Sequence, residues 1–219
     1  MQKKLIIFAS GSEEEGGSGF QRLVESSRNE VLEAEIVAVV SNHAKGGVWK
    51  RAQKLGIPFE YFPGPYHAQE YRAIVEEYQA EWIVLSGWLK LVRGLEGAHT
   101  INIHPGPLPQ FGGKGMYGEH VHKAVLEAYH KGEVQHSEVT MHFVTERYDE
   151  GPIFFRYPVP ILAHDTPHTL GARVNAAEHE FQSWATNLVV QGHIRWDGVD
   201  SRTLKVPPWY IFHKKISFS

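Results

Sequence analysis

Leu5-Ile6-Ile7-Phe8-Ala9, followed by Ser10-Gly11-Ser12-Glu13-Glu14-Glu15-Gly16-Gly17-Ser18-Gly19 and then by Phe20, Leu23 and Val24, is the stretch that decides the fold. Its first five residues are all apolar, as in a strand buried on both faces of a parallel sheet. Phe20, Leu23 and Val24 follow at helical spacing, on one face. Outward from this unit the two periods alternate. Ile36 to Val40 is a second buried strand, Val48 to Leu55 a short helix ended by Gly56, and Tyr71, Ile74, Val75 and Tyr78 fall at i, i+3, i+4 and i+7. Trp82 to Leu85 and Thr100 to Ile103 are further strands. This alternation predicts an α/β fold, an open, mostly parallel twisted sheet with helices on both faces in the Rossmann-like manner.

The second half changes character. A loop rich in glycine and proline runs from Pro105 to Gly118, and a helix then carries Val121, Ala124, Val125 and Ala128. Glu138 to Val144 and Ile153 to Ile161 read as strands separated by a turn at Asp149-Glu150-Gly151, an antiparallel addition to the sheet. A long helix carries Leu170, Val174, Ala177, Phe181, Trp184 and Leu188. After Gly192 the aromatics are scattered around Pro207-Pro208, as in a strand and an extended end. No repeat, heptad or linker interrupts the chain, so residues 1–219 are expected to form one domain.

Composition narrows the function. A chain of 219 residues, 42% hydrophobic and 21% charged, has the makings of an ordinary globular domain. Such a chain buries roughly 70% of its unfolded surface without staples. The absence of cysteine excludes a disulfide framework, a thiolate-ligated metal and a cysteine nucleophile. A net charge of −3 without a polybasic tail leaves no footprint for nucleic acid or anionic membrane. The apolar run Leu5 to Ala9 is too short for a signal-peptide core, and a soluble, cytoplasmic protein is expected.

Ligands of open α/β sheets bind outside the carboxyl ends of the strands. The loop from Ser10 to Gly19 lies there, and its glycines let backbone N–H groups approach a phosphate at a helix N-terminus. It is neither a Walker loop nor a strict dinucleotide fingerprint. A flexible surface turn is the plain alternative, and Glu13, Glu14 and Glu15 disfavour a phosphate unless they face solvent. Asn102-Ile103-His104-Pro105 ends a strand, where the period of two projects Asn102 and His104 to one side. An amide donor beside an imidazole suits an oxyanion and a proton, although a core histidine bonded to a carbonyl has the same local sequence. Asp149 has the chemistry to charge-stabilise that histidine, or simply to make a turn. Asn175 and Glu178 share a helix face, and Glu178 leans towards the apolar stripe, where it needs a partner. His120, His122, His136 and His142 do not have the spacing of a zinc helix, and no metal is expected.

Asn102-Ile103-His104-Pro105 with Leu108-Pro109, then Asp149-Glu150-Gly151-Pro152-Ile153, resembles the folate-dependent formyltransferase family. The resemblance runs from Lys4 to about Tyr210 and includes Val84 to Leu89, Val139 to Thr145, Arg173-Val174 and Glu178-His179. It implies the fold of that family and transfer of the formyl group of 10-formyltetrahydrofolate, a co-substrate, to the amine of glycinamide ribonucleotide in purine biosynthesis. It implies no bound cofactor and no metal. By the same resemblance Asn102 donates to the oxyanion, His104 stabilises the intermediate and moves protons, and Asp149 pairs with His104 or a water. Gly11, Gly17, Ser18 and Gly19 hold the phosphate through their backbone, and Asn175 and Glu178 contact the ribose and glycinamide part. The folate lies against Leu89, Lys90, Leu91 and Val92 and against Thr145, Glu146 and Tyr148. The N-terminal half thus binds ribonucleotide, and the C-terminal half binds folate and is catalytic. Small-molecule substrates, no nucleic acid, no membrane and a monomer or weak homodimer are implied.

Two departures accompany the resemblance. The family's phosphate loop reads Ser-Gly-x-Gly-Ser-Asn, whereas this chain has about four extra residues and Gly19 in place of the asparagine. The loop from Phe111 to Gly118 is also richer in glycine, and its Lys114 either reaches phosphate or folate or stays solvated. Sugar-nucleotide N-formyltransferases and formyltetrahydrofolate deformylase share the trio and remain alternatives. Methionyl-tRNA formyltransferases carry an RNA-binding domain for which this chain has neither room nor basic charge. A nucleotide-binding module without catalysis leaves the trio a coincidence.

Overall fold

The computed structural model describes residues 2–212 and 214. Among them seven strands, β1 (Lys3–Phe8), β2 (Ala34–Ser41), β3 (Phe59–Tyr61), β4 (Trp82–Ser86), β5 (Thr100–His104), β6 (His136–Phe143) and β7 (Ile153–Pro160), form one sheet in the order β3-β2-β1-β4-β5-β6-β7. The pairs from β3 to β5 are parallel, and β5–β6 and β6–β7 are antiparallel. Five helices accompany them: α1 (Ser18–Arg28), α2 (Gly47–Leu55), α3 (Ala68–Glu77), α4 (Glu119–His130) and α5 (Pro167–Val190). The expected α/β class, mostly parallel with an antiparallel C-terminal addition, is what forms.

Strand alternation assigns the faces. Leu5, Ile7, Val39, Val84, Ile101, Ile103, Met141 and Phe143 point into the larger core, which α1, α2, α4 and α5 cover. Ile6, Phe8, Ala38, Val40, Ile83 and Leu85 point the other way, against Tyr71 and Ile74 of α3. The continuous apolar runs are therefore strands clothed on both sides. α5 starts with Thr166 as N-cap in a reciprocal capping box with Thr169, and Pro167 follows in the first turn.

Sequence and structure differ at the edges. β6 starts at His136 and β7 ends at Pro160, each shifted by one or two residues from the expected bounds. Among the described residues, the strand expected after Gly192 is reduced to a single antiparallel bridge between Arg195 and Lys205. Pro207 and Pro208 have no N–H to extend a ladder. The open edge of β7 is instead met by the tail where Arg156 N–H donates to the Phe212 carbonyl. The last part of the expected extended end, residues 215–219, lies outside the described residues.

The chain leaves β1 towards β2 and leaves β4 towards β5, so the strand order reverses between β1 and β4 and opens a crevice at their carboxyl ends. Three bonds fix the loop there: Ser10 N–H to the Gly87 carbonyl (3.0 Å), Leu89 N–H to Ser10 Oγ (3.0 Å) and Ser41 Oγ to the Ser10 carbonyl (2.9 Å). Beneath it Trp88 Nε1–H donates to Tyr71 Oη at 3.0 Å, and Tyr71 Oη–H donates to the Leu91 carbonyl at 3.2 Å. Tyr71→Phe orphans the buried indole N–H and the carbonyl together. The expected cost is about 1–3 kcal/mol of unfolding free energy, read as a lowered urea midpoint at unchanged slope.

Candidate functional site

β5 sets the site by its alternation. Ile101 and Ile103 enter the core, and Asn102 and His104 therefore face the opposite side of the sheet. Antiparallel pairing places His142 directly across from Asn102 and Thr140 across from His104. The β6–β7 connection folds back over these residues and brings Asp149 onto them, in a left-handed backbone conformation (φ 56°) that aspartate tolerates better than most residues. Asp149 Oδ1 lies 3.4 Å from both Asn102 Nδ2 and His142 Nε2, and Oδ2 lies 3.8 Å from His104 Nδ1. Gly113 N–H donates to Oδ2 at 2.9 Å, which ties the glycine-rich loop to the same carboxylate. Three residues far apart in the chain, Asn102, His104 and Asp149, thus meet.

The electrostatics follow from these contacts. Burial raises the cost of charging Asp149, but the nearby His104 and the Gly113 N–H outweigh it and hold the carboxyl below its usual range. His104 is buried, and that burial pushes its pKa down against the opposing pull of Asp149 and the Phe111 carbonyl. Its Nε2 lies 2.8 Å from the Phe111 carbonyl, which only accepts, so Nε2 carries the proton and Nδ1 presents a lone pair. His142 Nδ1 donates to the Phe143 carbonyl (2.8 Å), leaving Nε2 to accept from Asn102 Nδ2 at 3.0 Å. The hydrogens of the Asn102 amide are directed at His142 and Asp149.

The other end of the site is the N-terminus of α1. Its N-cap, Gly17, has φ 81° and supplies no side-chain cap, so the first N–H groups of the helix are free for a ligand. A Cβ at Gly19 would stand 2.3 Å from Ser86 Oγ, so no larger residue fits there without displacing Ser86. Ser18 Oγ meets His179 Nε2 at 3.0 Å, across from α5. Glu13, Glu14 and Glu15 are exposed on a turn closed by Ser12 N–H to the Glu15 carbonyl (2.7 Å) and held by Gly47 N–H to the Ser12 carbonyl (3.0 Å). The three carboxylates of the insertion are outside the cavity wall.

One cavity of about 600 Å³ joins the two ends. Gly11, Gly17, Ser18, Gly19, Asn102, His104, Asp149, Asn175 and Glu178 all line it, with Lys114 at its rim. The residues expected to hold folate divide. Leu89 and Tyr148 line the large cavity, while Val92, Thr145 and Glu146 line a second one of about 150 Å³. Lys90 and Leu91 line neither: Lys90 Nζ sits 5.5 Å from the centre of the Tyr66 ring, and Leu91 gives its carbonyl to Tyr71. Among the described residues no group of three or more histidines and carboxylates is placed to hold a metal ion.

Sequence reasoning weighed His142 and His122 only for a zinc site, which it rejected, and missed Gln182. His142 closes the network around Asp149; His122 and Gln182 line the large cavity and each has a buried nitrogen without a partner, Nδ1 and Nε2. The signal for His142 is its parity with Thr140 on β6, which acquires meaning only once β6 is paired with β5.

The sequence model of the family described as Formyl transferase matches residues 3–186. The chain is 36% identical over 211 residues to the chloroplastic phosphoribosylglycinamide formyltransferase of Arabidopsis thaliana, covering 90% of this chain and 70% of that protein. It is 32% identical over 199 residues to the phosphoribosylglycinamide formyltransferase of Bacillus subtilis, covering 86% of this chain and 94% of that one. The fold superimposes on the crystal structure of glycinamide ribonucleotide transformylase 1 from Symbiobacterium toebii with a TM-score of 0.80 at 25% identity, over 94% of both chains.

Glu178 is the carboxyl of the site whose pKa folding raises. Burial raises its pKa to about 7, against the lowering bond from Asn175 Nδ2 at 3.2 Å. An acid raised on folding contributes stability that is fully present below its unfolded pKa and is lost as pH rises through about 7. Glu178→Gln removes that loss. The urea midpoint of the variant relative to the parent is expected to be higher at pH 8 than at pH 4, and a pH-independent difference would contradict the shift.

Proposed function

The chain belongs to the formyl transferase family, and on that premise we propose that it transfers the formyl group of 10-formyltetrahydrofolate to the amine of glycinamide ribonucleotide, a step of purine biosynthesis. The observation that carries this reading is one cavity that has an uncapped helix N-terminus at one end and Asn102, His104 and Asp149 at the other. An anionic group and a reacting carbonyl require those two features within one small molecule's length.

In this mechanism the ribonucleotide phosphate docks on the N–H groups of Gly17, Ser18 and Gly19, where the α1 dipole favours negative charge. Its ribose and glycinamide part lies along Asn175 and Glu178. A Glu178 carboxyl with a pKa of about 7 both donates and accepts near neutrality, which suits hydroxyl or amine partners. The apolar side chains of Leu89 and Val92, with Thr145, Glu146 and Tyr148, receive the folate.

The amine nitrogen attacks the formyl carbon and makes a tetrahedral intermediate. As its oxygen becomes negative, the Asn102 amide turns a hydrogen from Asp149 to the oxyanion. His104 Nδ1 takes the proton released from the attacking nitrogen, and the imidazolium is held between the Phe111 carbonyl and the Asp149 carboxylate. Breaking the bond from carbon to the folate nitrogen returns that proton to the leaving nitrogen. The products are the N-formylated ribonucleotide and tetrahydrofolate, with no net proton uptake and no metal or bound cofactor. The protein is proposed to act as a cytoplasmic monomer or weak homodimer on small molecules alone.

The test is a formyl-transfer assay with 10-formyltetrahydrofolate, with and without glycinamide ribonucleotide. Turnover that depends on the ribonucleotide supports the transferase, and equal turnover without it supports a deformylase. His104→Ala and Asp149→Ala are expected to lower kcat by about 10²–10⁴-fold with small changes in KM, since both act on the transition state. Glu178→Ala is expected to raise the KM for the ribonucleotide and to leave that for folate nearly unchanged.

A further inference from the structure

His104 on β5 stands opposite Thr140 on β6, and Thr140 stands opposite Arg156 on β7, so one row of the sheet carries the three side chains on the same face. The segment that follows His104, residues 105–111, folds back over this row. Its carbonyls are taken up one after another. Thr140 Oγ1 donates to the Gly106 carbonyl at 2.8 Å, and Arg156 Nη2 donates to the Leu108 carbonyl at 2.8 Å. Phe111 N–H then closes the turn on the Pro107 carbonyl at 2.9 Å, and the Phe111 carbonyl accepts from His104 Nε2.

Arg156 is 8% exposed and its partner Glu138 is 3% exposed, with Nη1 and Oε2 2.7 Å apart. A buried ion pair is a poor source of net stability, because desolvation offsets the attraction. What this pair does is aim a second guanidinium nitrogen at a fixed point in the turn, and the rigid fork of arginine lets one side chain do both.

We infer that Arg156, charge-balanced by Glu138, is a positioning residue for His104. It holds the 105–111 turn so that the Phe111 carbonyl keeps the proton on His104 Nε2 and the lone pair on Nδ1, facing Asp149 and the cavity. The inference rests on the reading above in which Nδ1 takes the amine proton. If the turn relaxes, Nε2 loses its acceptor, and the proton moves to Nδ1 in a fraction of molecules, which then lack a base.

Two measurements test it together: histidine ¹⁵N NMR of the unliganded protein, which reports the tautomer, and steady-state formyl transfer. The parent is expected to hold His104 as a single Nε2–H tautomer, and Arg156→Met to show a mixture. The same variant is expected to lose about 10–100-fold in kcat with KM for both substrates changed by less than about threefold. Glu138→Gln, which leaves an acceptor for Nη1, is expected to lie between the two. Arg156→Lys, which keeps the charge but not the fork, serves in place of Arg156→Met if that variant does not fold. Any folded Arg156 variant that keeps both the Nε2–H tautomer and the parental kcat overturns the inference. So does a loss of rate that matches the loss of folded protein at the assay temperature. Absence of formyl transfer by the parent would count against the function proposed above, whereas the tautomer comparison would still decide the role of Arg156.

Discussion

The alternation of side chains along β5 is the constraint on which the rest depends. Ile101 and Ile103 are held in the core by the helices on one face, and this leaves Asn102 and His104 no choice but the other. A slip of one residue would put an amide and an imidazole into hydrocarbon and two isoleucines into the cavity. The burial that stabilises the sheet therefore also orients the chemistry, and the site needs no separate device to choose its face.

Antiparallel pairing then multiplies that orientation. A parallel neighbour at this edge would require a long crossover before the next strand returned. β6 comes back directly against β5, sets His142 against Asn102 and Thr140 against His104, and leads into the connection that bears Asp149. The carboxylate gathers two imidazoles, an amide and the Gly113 N–H, so the glycine-rich loop and the sheet share one anchor. At the far end the reversal of strand order between β1 and β4 opens the crevice, and α1 presents uncapped N–H groups to it. The polar side chains of β5 and the uncapped N–H groups of α1 thus lie in one cavity because two independent features of one sheet point to it.

The acidic insertion shows how a departure from a loop pattern is accommodated. Ser12 and Glu15 close a turn of their own against Gly47, and Glu13, Glu14 and Glu15 stay in water, where their charge is solvated and screened. The loss of a side chain at Gly19 is matched by Ser86 and Gln182, which occupy the space a Cβ would need.

The sequence by itself determined the fold class and most elements, because buried strands must be apolar throughout and surface helices must repeat near 3.6 residues. It also marked Asn102, His104, Asp149, Asn175 and Glu178, since polar residues beside apolar stripes and glycine-rich turns stand out locally. Tertiary structure alone decided that Asp149 reaches His104, that His142 joins the cluster around Asp149, and that Lys90 and Leu91 stand apart from both cavities. It also decided that, among the described residues, the tail pairs beyond the sheet in the one bridge between Arg195 and Lys205. Local periodicity says which way a side chain points from its own element, whereas these outcomes depend on which element lies across from it, and that is settled by strand order and register through the shared core.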